Sequence, residues 1–320
     1  MKYLITGGLG FLGQHVVKAA IAAAHTVTVA DNLEPRCGGV SGLAHGPRYA
    51  YRNVDITDFS ALQNAARAVD PDVILHLAAY GRNLSCRDFP DRAKSVNVGG
   101  TLNVLMAAAL RDSGLTILKN RTRVVVCSSN ITLSDQDTVY KFTKQRCELL
   151  VEEFARGGLS VMGLRPSNIY GVGQSRTEYQ PCAFAGMDMA YEREGYFSIT
   201  GDGSQTRDFT HADDVADAFL LAANSAVSGC TVDIATGVQT SMNEVAKLLG
   251  AKVVYADPRP GDAKTLVSNI EPAKALLGFT AKRSLAEHIG EAFPSVQGFK
   301  VSQVSRFQSE TPQVFETLKP

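Results

Sequence analysis

Tyr140-Lys141-Phe142-Thr143-Lys144 sets a phenol and an ammonium four residues apart, a spacing that shares one face of a helix. A free tyrosine has a pKa of roughly 10, so one that takes a proton at neutral pH needs positive charge beside it, and each unit of depression requires about 1.4 kcal/mol of differential stabilisation. Lys144 is the candidate source of that charge. Upstream, Val124-Val125-Val126-Cys127-Ser128-Ser129-Asn130 reads as an apolar strand that ends in hydroxyls. Ser129 is the candidate third member, able to bridge a substrate oxygen and Tyr140 and so orient a proton transfer. The competing readings are that Tyr140 and Lys144 are ordinary surface-helix residues, since Y-x-x-x-K alone is common, and that both serines only satisfy the strand end. Cys127 is read as a core residue rather than a nucleophile.

These groups need a scaffold, and the first half of the chain describes one. Strands are expected at Tyr3 to Thr6, Thr26 to Ala30, Tyr49 to Arg52, Val73 to His76, Arg123 to Cys127 and Ser160 to Leu164, with helices at Leu12 to Ala24, Ala93 to Arg111 and Val139 to Arg156. The alternation implies a Rossmann-type α/β fold, a doubly wound parallel sheet covered by helices on both faces. Ligands in such folds bind at the carboxyl ends of the strands, where Ser128 and Ser129 emerge. After Arg165-Pro166 the pattern loosens, and helices return at Asp213 to Asn224 and Ser241 to Leu249. A dinucleotide domain is expected over 1–165, to which later segments can return, and a smaller C-terminal α/β substrate lobe over 166–292. Residues 293–320 show no sustained period and read as a tail or arm.

Thr6-Gly7-Gly8-Leu9-Gly10-Phe11-Leu12-Gly13 stands at the first strand-to-helix turn. A pyrophosphate there would meet unpaired backbone N–H groups and the positive end of the helix dipole, with Gly7, Gly10, Phe11 and Leu12 around it and Gly13 allowing tight helix-on-strand packing. Asp31 ends the next strand. A carboxylate at that point accepts both ribose hydroxyls of NAD and would repel the 2′-phosphate of NADP, and no arginine follows in Asp31-Asn32-Leu33, so NAD is the expected cofactor. Asp55-Ile56 would frame the adenine, Leu77-Ala78-Ala79 would permit close approach, and Lys144 would also hold the nicotinamide ribose.

Taken together these residues resemble the extended short-chain dehydrogenase/reductase family, in its nucleotide-sugar epimerase and dehydratase branch. The resemblance covers nearly the whole chain, adding His76-Leu77-Ala78-Ala79, Asn97-Val98, Arg165-Pro166-Ser167-Asn168-Ile169-Tyr170-Gly171, Gly201 to Phe209 and Arg259-Pro260-Gly261-Asp262. It implies that Asn97 belongs to the cofactor site and that Asn168, Arg207 and Arg259 contact the diphosphate of a nucleotide-diphosphate sugar. Arginine forks suit that anion. Tyr80, Arg82 and Ser85, in the loop after Ala79, would face the sugar. The resemblance further implies that Tyr140 takes a sugar hydroxyl proton while hydride passes to NAD, giving a keto sugar. Asn130-Ile131 follow Ser129 where the dehydratases carry an Asp-Glu pair and the decarboxylases a Glu, so epimerisation leads, most simply at C4. Dehydration, decarboxylation, keto-reduction and a non-catalytic NAD(P)-sensing protein are the alternatives. One departure stands out: only ten residues separate Ser129 from Tyr140, where relatives carry a longer loop bordering the sugar.

Lys plus Arg and Asp plus Glu both total 32, so no global field draws the protein to nucleic acid or an anionic membrane. No stretch has the length and apolarity of a membrane span, Met1-Lys2-Tyr3 leads directly into a strand, and a cytoplasmic location is expected. The six cysteines are scattered without a C-x-x-C pair, which points to reduced thiols and no zinc site. His211 is read as a structural or capping group and His76 as core. The helices at 93–111 and 139–156 suggest a two-fold interface, and hence a homodimer, as relatives form.

Overall fold

Runs that are apolar on both faces of a strand are satisfied only inside a covered sheet. The computed structural model, which describes residues 1–34, 46–110, 122–174, 176, 183–258 and 264–296, shows such a sheet. Its strands are β1 (Lys2–Thr6), β2 (Thr26–Asp31), β3 (Tyr49–Asn53), β4 (Val73–His76), β5 (Arg123–Cys127), β6 (Val161–Pro166) and, after four strands of the smaller lobe, β11 (Thr231–Ile234). All pair in parallel in the order β11-β6-β5-β4-β1-β2-β3. The order reverses direction at β1, which lies between β2 and β4, and that reversal opens the crevice.

Side chains alternate between the two faces. Ile5, Val29, Leu75 and Val125 pack under α1 (Phe11–Ala22) and, from much later in the chain, α8 (Ala212–Asn224). Leu4, Ala30, Ile74, Val124 and Val126 pack under α2 (Phe59–Val69), α5 (Gly100–Ala109) and α6 (Val139–Arg156). At the strand ends His76 is wedged between Thr6 Oγ1 at 2.7 Å and Thr101 Oγ1 at 2.9 Å. Burial, aided by the Lys144 charge, pushes its pKa down to about 3, so the ring is neutral core.

The helix expected over 93–111 is present and continuous through Ala109: α4 (Pro90–Ala93) runs through a π-helical turn at Lys94–Gly99 straight into α5, and a separate short helix, α3 (Asn83–Asp88), precedes it. The wide turn delivers Asn97 to the loop after β4: its Oδ1 accepts the Tyr80 N–H at 2.7 Å, and its Nδ2 donates to the Tyr80 carbonyl at 3.0 Å and Thr143 Oγ1 at 3.0 Å. α6 begins as the sequence suggests, because the Thr138 hydroxyl accepts the Lys141 N–H at 3.1 Å and caps the first turn that carries Tyr140.

The smaller lobe is built from two-stranded pairs: β7 (Asn168–Tyr170) with β10 (Phe209–His211), β8 (Phe197–Thr200) with β13 (Val253–Ala256), and β9 (Thr206–Arg207) with β12 (Thr240–Ser241). Its core gathers Tyr170, Phe184, Phe197 and Phe209 with Val245 and Leu249 of α9 (Met242–Leu249). Phe293, at the start of the stretch read as a tail, is 1% exposed within that core, and Val296 joins it. Asp208, fully buried, ties the lobe to the sheet by accepting the N–H groups of Thr236 and Gly237 at 3.0 and 2.7 Å just beyond β11.

α1 lies so close to the glycine turn that a β-carbon on Gly13 would come 2.1 Å from the Gly7 carbonyl oxygen. Backbone cannot yield as a side-chain tip can, so Gly13→Ala is expected to cost about 3 kcal/mol, measured by chemical denaturation. Wild-type stability in that variant would show that the approach is not as close as described.

Candidate active site

The carboxyl ends of β1, β2, β4, β5 and β6 open on a cleft of about 620 Å³ whose far wall comes from the smaller lobe. At one end is the glycine turn. α1 starts at Gly10 with no side-chain cap and no acidic residue in its first turn, so its leading N–H groups and dipole end are left for a ligand. Gly7 has φ +70°, and a β-carbon there would come 2.5 Å from the Ala78 nitrogen, so the turn can lie against Leu77-Ala78-Ala79 only as glycine. Asp31 Oδ2 accepts the Leu9 N–H at 3.1 Å and Oδ1 the Leu33 N–H at 2.9 Å. The carboxylate braces the glycine turn and keeps lone pairs on both oxygens for ribose hydroxyls. An uncapped helix end, a side-chain-free turn and a braced acid fit a dinucleotide.

Asn32, Asp55 and Ile56 also line this end. The Asp55 carboxylate is largely spent on the protein: Oδ1 accepts from the Thr57 N–H and hydroxyl at 2.8 and 2.7 Å, and Oδ2 from Asn32 Nδ2 at 3.1 Å and Arg92 Nη2 at 3.3 Å. Burial alone would raise its pKa, but these donors hold it below the usual carboxylate range. Arg92 and Glu34, 3.7 Å apart, complete this wall. Neither carries a signal in the sequence, because α4 meets the end of β2 only through the strand order.

The other end holds the pair. Lys144 is 4% exposed and its Nζ donates to the Cys127 carbonyl at 2.8 Å, 5.9 Å from the centre of the Tyr140 ring. Both residues line the cleft, with Ser129 opposite. Burial pushes the Tyr140 phenol up; the Lys144 ammonium and a hydrogen bond with Ser129 pull it back, while Cys127 and Cys86 are the other ionisable neighbours. Lys144 is held charged despite its burial by the groups around it, Tyr140 foremost. Cys127 lines the cleft as well as packing against the core, and burial pushes its thiol up, away from nucleophilic character.

Of the residues assigned to the substrate, Tyr80, Arg82, Asn168 and Arg207 line the cleft. Arg82 takes φ +82°, a left-handed conformation uncommon for a residue with a side chain, at the start of α3. Two assigned residues are not on the cleft wall: Ser85 is 3% exposed on α3, and Asn97 is 1% exposed, its amide bonded to Tyr80 and Thr143 so that it props the loop after β4. Arg259 lies outside the described residues. Ser134, Gln136, Gln174, Phe184, Phe209 and Leu266 line the cleft without having been singled out. They come from loops and from the smaller lobe, where no periodicity marks them.

A second titratable cluster, His211 with His288 and Glu291, sits away from the cleft. His211 caps α8: its Nδ1 accepts the Asp213 N–H at 3.1 Å, so the neutral ring carries its proton on Nε2 and donates it to Glu291 at 2.9 Å. A metal at Nε2 would need that proton removed, so the cluster is a strut, in line with the capping role expected for His211.

Comparison with known proteins agrees with this geometry. The NAD dependent epimerase/dehydratase family matches residues 3–235. The UDP-glucose 4-epimerase of Mycolicibacterium smegmatis is 29% identical over 318 residues, spanning 91% of this chain and 97% of that protein. The UDP-N-acetyl-alpha-D-glucosaminuronate decarboxylase of Bacillus cytotoxicus is 29% identical, with coverages of 77% and 78%. Among solved structures, UDP-glucose 4-epimerase of Thermotoga maritima with UDP-glucose superposes with a TM-score of 0.79 at 26% identity, over 92% of this chain and 98% of that one. The chain is thus a member of the NAD-dependent epimerase/dehydratase family, an extended short-chain dehydrogenase/reductase whose cofactor is NAD.

Proposed function

We propose that the protein is a nucleotide-diphosphate-sugar epimerase, inverting most simply C4 through a keto sugar, and the observation that carries this reading is the Tyr140–Lys144 pair facing the cleft beside Ser129. The resemblance to UDP-glucose 4-epimerases across nearly the full chain supports it. The glycine turn and Asp31 would hold NAD, which would supply the hydride acceptor and donor for oxidation of the sugar carbon and its reduction on the opposite face. Tyr140 takes the proton of the sugar hydroxyl as the carbonyl forms, and gives it back when the carbonyl is reduced. No proton or electron is gained over the cycle. Lys144 stabilises the phenolate and holds the ribose; Ser129 orients the sugar oxygen toward the phenol. Asn168 and Arg207 hold the diphosphate, while Tyr80 and Arg82 border the sugar.

Among the described residues the acids that line the cleft are Asp31, Glu34 and Asp55, all at or just beyond the ends of β2 and β3. None stands beside Tyr140 to serve the acid and base steps of dehydration or the glutamate of the decarboxylases. The protein acts as a homodimer in the cytoplasm on this reading. Leu102 on α5 and Phe142 and Leu149 on α6 are exposed apolar side chains that a two-fold packing of these helices would cover, and no helix among the described residues is long and apolar enough to cross a membrane.

Incubation of the protein as purified with a panel of sugar nucleotides is expected to give a product of unchanged mass with one inverted carbon, read by mass spectrometry and NMR; loss of water or carbon dioxide would overturn the epimerase assignment. Tyr140→Phe should lower turnover by roughly 10²–10⁴-fold with NAD content per chain unchanged, and undiminished turnover would remove Tyr140 from the chemistry. Lys144→Met takes away the charge that favours the phenolate, so the phenol pKa rises. Activity should then be lost at neutral pH and return as pH increases, with the rising limb of the profile displaced alkaline by about one unit or more. Finally, Phe142→Glu is expected to give monomers in sedimentation velocity, and a wild type that is itself monomeric would refute the dimer.

A further inference from the structure

The turn that carries Ser129 stands where the loop before Tyr140 is short, and it is held by side chains on the same helix as the pair. Residues Asn130–Leu133 form one turn of 3-10 helix. On one side Asn130 Nδ2 donates to Ser167 Oγ at 2.8 Å, whose own proton goes to the Asp208 carbonyl at 2.8 Å. On the other side lies α6. Gln145 Nε2 donates to the Thr132 carbonyl at 3.3 Å, and Glu148, one helical turn beyond Lys144, receives the Ser128 hydroxyl at 2.5 Å on Oε1. The Thr132 hydroxyl is 3.0 Å from the Ser129 carbonyl and 3.2 Å from Glu148 Oε1, one proton shared between two acceptors. Arg165 grips the same carboxylate from behind through two bonds, Nε to Oε1 at 2.8 Å and Nη2 to Oε2 at 2.7 Å, and is itself held by Asp233 Oδ1 at 3.3 Å.

Each of these bonds restricts what the turn can do. Ser128 has committed its only proton to Glu148, so it has none to offer a substrate, and the hydroxyl left at the strand end is that of Ser129. Ser129 in turn accepts the Ile131 N–H at 3.3 Å, a bond that uses a lone pair and leaves the hydroxyl proton for the Tyr140 phenol. Glu148 is mostly buried and does not itself line the cleft, which it touches only from behind, through Ser128. A bidentate arginine–carboxylate pair is geometrically stiff. It spans β6 and α6, and the turn hangs from it.

We infer that Glu148 is a positioning residue for the reaction: clamped by Arg165, it holds the Ser128–Thr132 turn so that the Ser129 hydroxyl sits on the Tyr140 phenol. The inference rests on Tyr140 being the proton acceptor. Tyr140, Lys144 and Glu148 form a single stripe on α6, at spacings of four, in which the first two act on the substrate and the third fixes the strand end opposite them. The short loop leaves no other segment among the described residues between strand and helix to do so.

Glu148→Gln keeps the shape and removes the charge that grips both Arg165 and the Ser128 hydroxyl. The expected result is a kcat lower by about tenfold, the scale of one lost orienting hydrogen bond, with KM for the sugar nucleotide and NAD content per chain unchanged. The rising limb of the pH profile should move alkaline, because the phenol loses a bond that favours its ionised form. Thr132→Val, which leaves the ion pair intact, should move both quantities in the same direction by less. The phenol can also be titrated without turnover, as the phenolate absorbance difference between Glu148→Gln and Glu148→Gln/Tyr140→Phe, set against the same difference in the wild-type background. An alkaline shift there supports the inference. A Glu148→Gln protein with a lowered Tm but wild-type kcat per folded chain and a wild-type phenol titration would overturn it, leaving Glu148 purely structural. Turnover undiminished in Tyr140→Phe would instead overturn the functional reading beneath it, so the two failures are distinct.

Discussion

A lysine with almost no exposed surface and no carboxylate partner among the described residues is an expensive thing to keep inside a protein, costing several kcal/mol in desolvation. Lys144 is held there by one neutral hydrogen bond, to the carbonyl that ends β5. Its charge is therefore not used up by a counter-ion, and the phenol one turn away is among the groups it can act on. The rest of the site follows from this. The helix must begin at Thr138 so that Tyr140 falls in the first turn, the strand must end at Cys127 so that its carbonyl is available, and the strand end must be stiff enough to keep both in register.

How much of this could be read from the amino acids depends on whether the cause is local. The glycine turn, the acid after the second strand and the Tyr-Lys spacing are local, and all of them line the cleft. So are the strand signals: β1 and β4 lie within one residue of their expected bounds because each is a short apolar run, β1 closed by the glycine turn and β4 opened after Pro71-Asp72. The expected helix over 93–111 is there, but its π-helical turn is not legible: the backbone widens where Asn97 bonds Tyr80, a tertiary contact that helical periodicity does not encode. Ser85 is expected in a loop facing the sugar, but it lies buried on α3, and which face of that short helix it takes depends on how the helix docks. Arg92 and Gln174 come from segments far apart in the chain that meet only once the sheet is wound.

The two ends of the cleft are joined by more than the sheet. His15 on α1 reaches Asp213 Oδ1 at 2.6 Å on α8 and the Val172 carbonyl at 2.9 Å in the loop after β7. That loop leads to Gln174 on the cleft wall, and Phe11, which meets His15 edge-on, lines the cofactor end. One imidazole thus links the helix that follows the glycine turn to a segment on the far side of the cleft, which gives its two ends a common mechanical reference.

The late arrival of α8 and β11 has a consequence for how the chain comes into being. When residues 1–166 have left the ribosome, the edge of β6 that β11 will pair is open and, among the described residues, the apolar side chains of the α1 face lack the cover of Val215, Phe219 and Val232, which are yet to be synthesised. Phe279, which completes that face, comes later still. The nascent chain must pass through a stage with a half-roofed sheet, open to adventitious pairing and to chaperone capture, before the polypeptide crosses back from the smaller lobe and seals it.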